Sequence, residues 1–178
     1  RAFFVETDTS LTVYACWQDR IAEDLRHETT HGYVHAVMPG VPLWIDEGLA
    51  ECFELPRSAG GLHREHVQHL QTRLLEGTWR PDLVRLESLT SAAALTQDEY
   101  AEAWAWVHWL LHSSPERRRL LQTFLADVRF NAASAAPLSV RLVRATEHHT
   151  LNDCATAVAE HVQSLAAIDG RASASDLP

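Results

Sequence analysis

Apolar and polar positions change period several times along this 178-residue chain. Residues 2–6 and 11–15 are β-rich runs around Thr7-Asp8-Thr9-Ser10, which predicts a hairpin with a four-residue turn. A helical period then covers residues 19–37, and Pro39-Gly40 stops it. Pro42 opens a second helix over 43–54, which Leu55-Pro56 ends. After a loop at 57–61, residues 63–76 read as a helix with Val67, Leu70 and Leu74 as its inner stripe. The stretch 77–94 is irregular, with a short helix at 83–86. Thr96-Gln97-Asp98-Glu99 is a capping box that starts a helix to 112, with Tyr100, Trp104, Val107 and Leu111 on one face. Ser114-Pro115-Glu116 caps another helix to 130. A small-residue linker at 131–137 precedes helices at 140–148 and 152–165, and 170–178 reads as a disordered polar tail.

The expected fold is therefore α+β and predominantly helical. A short N-terminal antiparallel hairpin lies beside one helix, and a helical C-terminal subdomain follows. One domain is expected over 1–168, divided into halves at 1–56 and 57–168, with a tail at 169–178.

The helix at 19–37 carries His27-Glu28-Thr29-Thr30-His31, an H-E-x-x-H pattern. Positions i and i+4 share one helical face, so His27 and His31 can ligate one metal ion. Glu28 then sits where it can act as general base on a metal-bound water. The next helix carries Trp44-Ile45-Asp46-Glu47-Gly48-Leu49-Ala50-Glu51. Fifteen residues separate His31 from Glu47. Two turns out, a corner and one turn back bring the chain to the level of the metal, which makes Glu47 the third ligand of a His-His-Glu zinc site. Glu51 lies one turn beyond Glu47 on the same face and is expected to accept the free N–H of a ligand imidazole. Asp46 points about 100° away and competes only weakly as a ligand.

Other histidines read differently. His35 extends the ladder, but eight residues span about 12 Å of helix, so it cannot share an ion with His27 and is expected to support the site. The Gly and His of a metzincin motif are replaced by Val34 and Val37. His63, His66 and His69 spread round their helix and read as a solvated face. His108 and His112 have ligand spacing but no acid between them, and Trp106 and Trp109 make packing the better reading. Glu147-His148-His149 fits a favourable place at a helix C-terminus.

These motifs together resemble the gluzincin clan of zinc metallopeptidases, and most closely its bacterial peptidase-MA-like group. The stretch 100–110, from Tyr100 to Leu110, is similar to a helix that follows the site in that clan. The resemblance implies a hydrolase of peptide or protein substrates. In it His27, His31 and Glu47 match the Zn2+ ligands, Glu28 the general base and Glu51 the supporting acid. Tyr100 matches a tyrosine that steadies the transition state; read from the helix alone, it is a core aromatic. Asp46 stands where related aminopeptidases carry Asn, and no G-x-M-E-N-like motif is present, so aminopeptidase specificity is not implied. Two readings outside peptidase chemistry stay open: a zinc-binding module without catalysis, and a zinc hydrolase of a non-peptide amide or ester.

Composition narrows the partners. Acidic residues outnumber basic ones, 24 to 15, for a net charge of −9, which argues against nucleic acid and anionic membranes. Every basic residue is Arg. No apolar run is long enough for a membrane span. Three cysteines without a C-x-x-C pair are expected as buried free thiols, with one disulfide plus a free thiol as the alternative. The chain opens on Arg1 and its sole methionine is Met38, so it reads as a piece of a longer protein. An extracytoplasmic location is implied only by the resemblance, and the sequence leaves the oligomeric state open.

Overall fold

The computed structural model describes residues 2–145 and 150–175, the side chains of Ala133 and 168–175 aside. Two antiparallel strands, β1 (Ala2–Thr7) and β2 (Ser10–Ala15), precede eight α-helices among those residues. These are α1 (Ile21–Val37), α2 (Leu43–Phe53), α3 (Arg64–Leu75), α4 (Leu83–Glu87), α5 (Gln97–His112), α6 (Pro115–Asn131), α7 (Leu138–Ala145) and α8 (Leu151–Ser175). The molecule is 69% helical, so the α+β, mostly helical class holds.

Thr7 and Ser10 form the last strand pair, which leaves Asp8-Thr9 as a two-residue loop inside the expected four-residue turn. The Thr7 hydroxyl stabilises it by accepting from the Ser10 amide at 3.1 Å. One face of the hairpin lies on α1. There the Phe4 ring sits where a Cβ on Gly32 would meet it at 3.4 Å. Phe3 and Tyr14 stack on an exposed surface with ring centroids 5.1 Å apart.

The core is built round α5, on which Trp104, Trp106, Trp109 and Leu110 are all buried. Helix α2 packs against it at very short range. A Cβ on Gly48 would lie 2.6 Å from the Ala103 carbonyl oxygen, so only glycine permits this approach. Trp44 and Ile45 of α2 are buried in the same core. Gly60 and Gly61, with φ of 59° and 79°, turn the chain from α2 into α3. Glu102, fully buried on α5, holds the segment before α4 by accepting from Trp79 Nε1, the Asp82 amide and Arg85.

Helix ends follow local chemistry. The Thr96–Glu99 capping box is present, and the Ser114 side chain accepts from the Arg117 amide ahead of Pro115 at the first helical position. Three expectations need correction. Helix α8 runs to Ser175, beyond the expected end at 165 and into the stretch read as a disordered tail. The Ala- and Ser-rich run there contains no proline, and its single glycine does not stop a helix. Helix α7 starts at Leu138, two residues early, and Glu147-His148-His149 lies outside the described residues. All three cysteines are free, but Cys16 is exposed between β2 and α1; only Cys52 and Cys154 are buried. No helix among the described residues is long and apolar enough to cross a membrane.

Candidate metal centre

Helix α1 presents His27, His31 and His35 along one face, with ring centroids 4.8 Å apart between the first two and 6.3 Å between the last two. Helix α2 faces them with Asp46, Glu47 and Glu51, and its C-cap residue Glu54 completes the row; all four are buried. The Nε2 atoms of His27 and His31 lie 3.6 Å and 3.5 Å from Glu47 Oε2. Both distances are too long for hydrogen bonds. Glu47 Oε2 is in fact buried without a hydrogen-bond partner. Two donors bound at ~2.0–2.1 Å to one tetrahedral ion stand about 3.3–3.4 Å apart. Glu47 Oε2 thus stands close to ligand spacing from both nitrogens, the three residues' donor atoms all lie within 4.8 Å of one another, and two imidazoles with a carboxylate are a donor set that suits Zn2+.

The other nitrogen of each ring is anchored. His27 Nδ1 is 2.9 Å from Glu54 Oε2, and His31 Nδ1 is 2.9 Å from Asp46 Oδ2. A carboxylate accepting at Nδ1 fixes the tautomer that leaves the Nε2 lone pair free for a metal. Asp46 also accepts from His35 Nε2 at 2.9 Å, and His35 Nδ1 donates to Glu6 Oε2 on β1 at 2.7 Å. His35 is therefore support for the site, as its spacing implies, and it links the hairpin to the site. The Phe4 ring packs edge-on to His35 at 5.4 Å.

Burial disfavours charge on these histidines, yet the carboxylates outweigh it. Glu47 and Glu54 push the His27 pKa up to about 10, and Asp46 and Glu47 push that of His31 up to about 9. Burial likewise opposes ionisation of Glu47, but His27 and His31 hold it down at about 2. Without an ion, the pocket attracts positive charge.

Two expectations change. Glu51 does not hydrogen-bond to a ligand histidine; its Oε2 accepts from His66 Nε2 at 2.8 Å. Asp46 on α2 and Glu54, the residue that caps its C-terminus, hold the candidate ligand rings at Nδ1 instead. His63 and His66 are not a solvated face: they are 4% and 7% exposed and turned toward α2, with His63 Nε2 3.0 Å from Glu54 Oε1. Their spacing signalled a shared arc, but nothing local in the sequence shows that the arc meets two buried glutamates. His69 does stand apart, donating to Asp98 at 2.6 Å.

Glu28 is half-buried on α1, beside His27. Tyr100, in the first turn of α5, is also half-buried. Burial, together with the charges of Glu47, Glu51 and Glu28, pushes its pKa up to about 12. Its hydroxyl thus stays protonated and can donate, within electrical reach of the site's carboxylates.

A family model matches residues 21–133, from the first turn of α1 to the end of α6. The chain belongs to this family, described as "Protein of unknown function (DUF1570)". The match contains both rows of side chains, α3 and Tyr100, and leaves out the hairpin, α7 and α8. No curated protein and no solved structure matches the chain.

Proposed function

We propose that this member of the DUF1570 family is a zinc-dependent metallopeptidase of gluzincin type, with His27, His31 and Glu47 as the Zn2+ ligands. One observation carries the reading: three donor atoms at metal-centre spacing, with two Nδ1 atoms tied to carboxylates and a buried glutamate oxygen left without a partner. An H-E-x-x-H helix and a resemblance to the clan support it from the sequence.

Bound there, Zn2+ would polarise the scissile carbonyl and lower the pKa of water towards ~7. Glu28 accepts a proton from the attacking water on its carboxylate and passes it to the leaving amine nitrogen. The Tyr100 hydroxyl donates to the carbonyl oxygen as negative charge builds on it. Asp46 and Glu54 keep the two imidazoles oriented throughout. The hairpin offers edges without a strand partner among the described residues, and an extended peptide can pair with such an edge. Glu6 on β1 holds His35, so the hairpin is tied to the helix that carries the two proposed histidine ligands.

The decisive experiment combines a zinc measurement on purified protein with cleavage of an unbiased peptide library. One tightly held zinc and peptide cleavage that chelation abolishes are expected. Tight zinc without cleavage of any peptide would leave the non-catalytic module or the non-peptide amide or ester hydrolase. No zinc at all would overturn the reading.

A further inference from the structure

The acid row of α2 serves more than the first site. Its four carboxylates, Asp46, Glu47, Glu51 and Glu54, are each 6–8% exposed. Among the described residues, these four side chains pair with histidines. Buried carboxylates need compensating positive charge. One divalent ion answers two of the four negative charges. Two remain, unless surrounding histidines hold protons.

Several sets of donor atoms here lie within 4.8 Å of one another. The set His31, His35 and Asp46 reuses His31, and the set His27, Glu51 and Glu54 reuses His27. Glu51, His63 and His66 form the set that shares no residue with the first site, and all three are buried. His63 and His66 stack with centroids 3.8 Å apart and planes 22° apart. Both Nε2 atoms face Glu51 Oε2, at 3.6 Å and 2.8 Å.

We propose that Glu51, His63 and His66 form a second cation site, contiguous with the first, for a divalent ion of zinc's borderline class. It lies between α2 and the start of α3, so the ion ties the two helices across the loop that joins them. With both ions in place, the acid row is neutralised without a second proton on any of the ligand histidines. Ligation through Nε2 shifts each ring's proton to Nδ1. On His66 that atom has no hydrogen-bond partner. On His63 the ion takes the place of two bonds, the one from Nε2 to Glu54 Oε1 at 3.0 Å and the one from the His66 amide at 3.4 Å. The proposal does not depend on catalysis at the first site.

The test is metal stoichiometry with Zn2+ and Co2+ as probes, on the parent chain and on the His66→Gln, Glu51→Gln and His31→Ala variants. Two ions per parent chain are expected. The His66→Gln and Glu51→Gln proteins should each keep one, and so should His31→Ala. One ion in the parent, unchanged in His66→Gln and lost in His31→Ala, overturns the second site and leaves the first. One ion in the parent, lost in His66→Gln and kept in His31→Ala, does the reverse. Should the His66→Gln and Glu51→Gln variants fail to fold, anomalous scattering from zinc-grown crystals of the parent decides. A peak among Glu51, His63 and His66 is expected, and a peak at His27, His31 and Glu47 alone overturns the proposal.

Discussion

Two histidine pairs at the same helical spacing, His27 with His31 and His108 with His112, behave in opposite ways. His27 and His31 on α1 have ring centroids 4.8 Å apart; those of His108 and His112 on α5 are 4.4 Å apart. The first pair faces the acid row of α2, which pushes both pKa values well above the ordinary imidazole value. The second pair meets the Trp104 ring and His161, with His108 Nδ1 2.9 Å from His161 Nε2. Burial, reinforced by neighbouring positive charge, pushes His108 down to about 3 and His161 to about 4. Spacing puts two imidazoles on one face. The neighbouring helix decides whether that face draws a cation or stays neutral.

The hardest test of this contrast is removal of one ring from each pair. His31→Ala is expected to abolish tight zinc binding at the first site, whereas His108→Gln leaves it intact. Equal zinc loss in both proteins, measured by competition with a chromophoric chelator, would break the distinction.

Chemistry should separate from binding at the residue beside His27. Glu28→Gln is expected to retain zinc and lose at least ~10²-fold in turnover, the scale of general-base catalysis. A variant that cleaved as fast as the parent would remove Glu28 from the reaction.

Tyr100→Phe deletes only a hydroxyl. Loss of a donor to a developing oxyanion typically costs ~10²–10³ in kcat, with little change in substrate binding. A kcat within about twofold of the parent would return Tyr100 to the core, the other reading its sequence context allows.

The role of the acids can be weighed with Asp46→Asn, which keeps the shape and weakens the hold on His31 Nδ1. Groups that orient a metal ligand typically change affinity or activity by ~10–100-fold. Zinc affinity unaltered by this change would mean that Asp46 only packs.

The smallest effect is on stability in metal-free protein, where the two pairs should leave opposite marks. His108 and His161 have folded pKa values below the unfolded value of about 6.5. The unfolded chain binds protons that they refuse, so their share of stability is intact above that pH and falls away as pH drops towards 4 and 3. For His27 and His31 the folded values lie above the unfolded one. Their share is complete below about 6.5 and is lost as pH rises through about 9 and 10. Urea midpoints across pH in the presence of chelator should decline at both ends. His108→Gln should flatten the acid side alone, and an unchanged acid limb would refute its assignment as a buried neutral group.

The sequence made local signals legible and left cross-helix partners hidden. The Thr96 capping box, Pro115 at a first helical turn and the Pro39-Gly40 stop act within a few residues, and each marks a helix end where the structure has one. The i, i+4 pair of α1 and the return distance to Glu47 are also legible, because helical rise sets both. Which acid holds which ring is not. Asp46 and Glu54 reach the outer nitrogens because α2 lies close along α1, and helical phase alone favoured Glu51 for that task. His63 and His66 were hidden for the same reason: their partners come from α2, on the far side of a turn.

Gly48 carries a kinetic consequence. It sits beside Glu47, at the point where α2 has no side chain between its backbone and the Ala103 carbonyl of α5. A close backbone joint of this kind has little slack to take up movement, so at the proposed metal site it would hold the Glu47 backbone still and slow the escape of a bound ion. Metal residence time therefore becomes a gauge of that joint: a slow off-rate reports a helix pair that rarely opens. Gly48→Ala, which forces the pair apart, should speed zinc exchange even though no ligand has been touched.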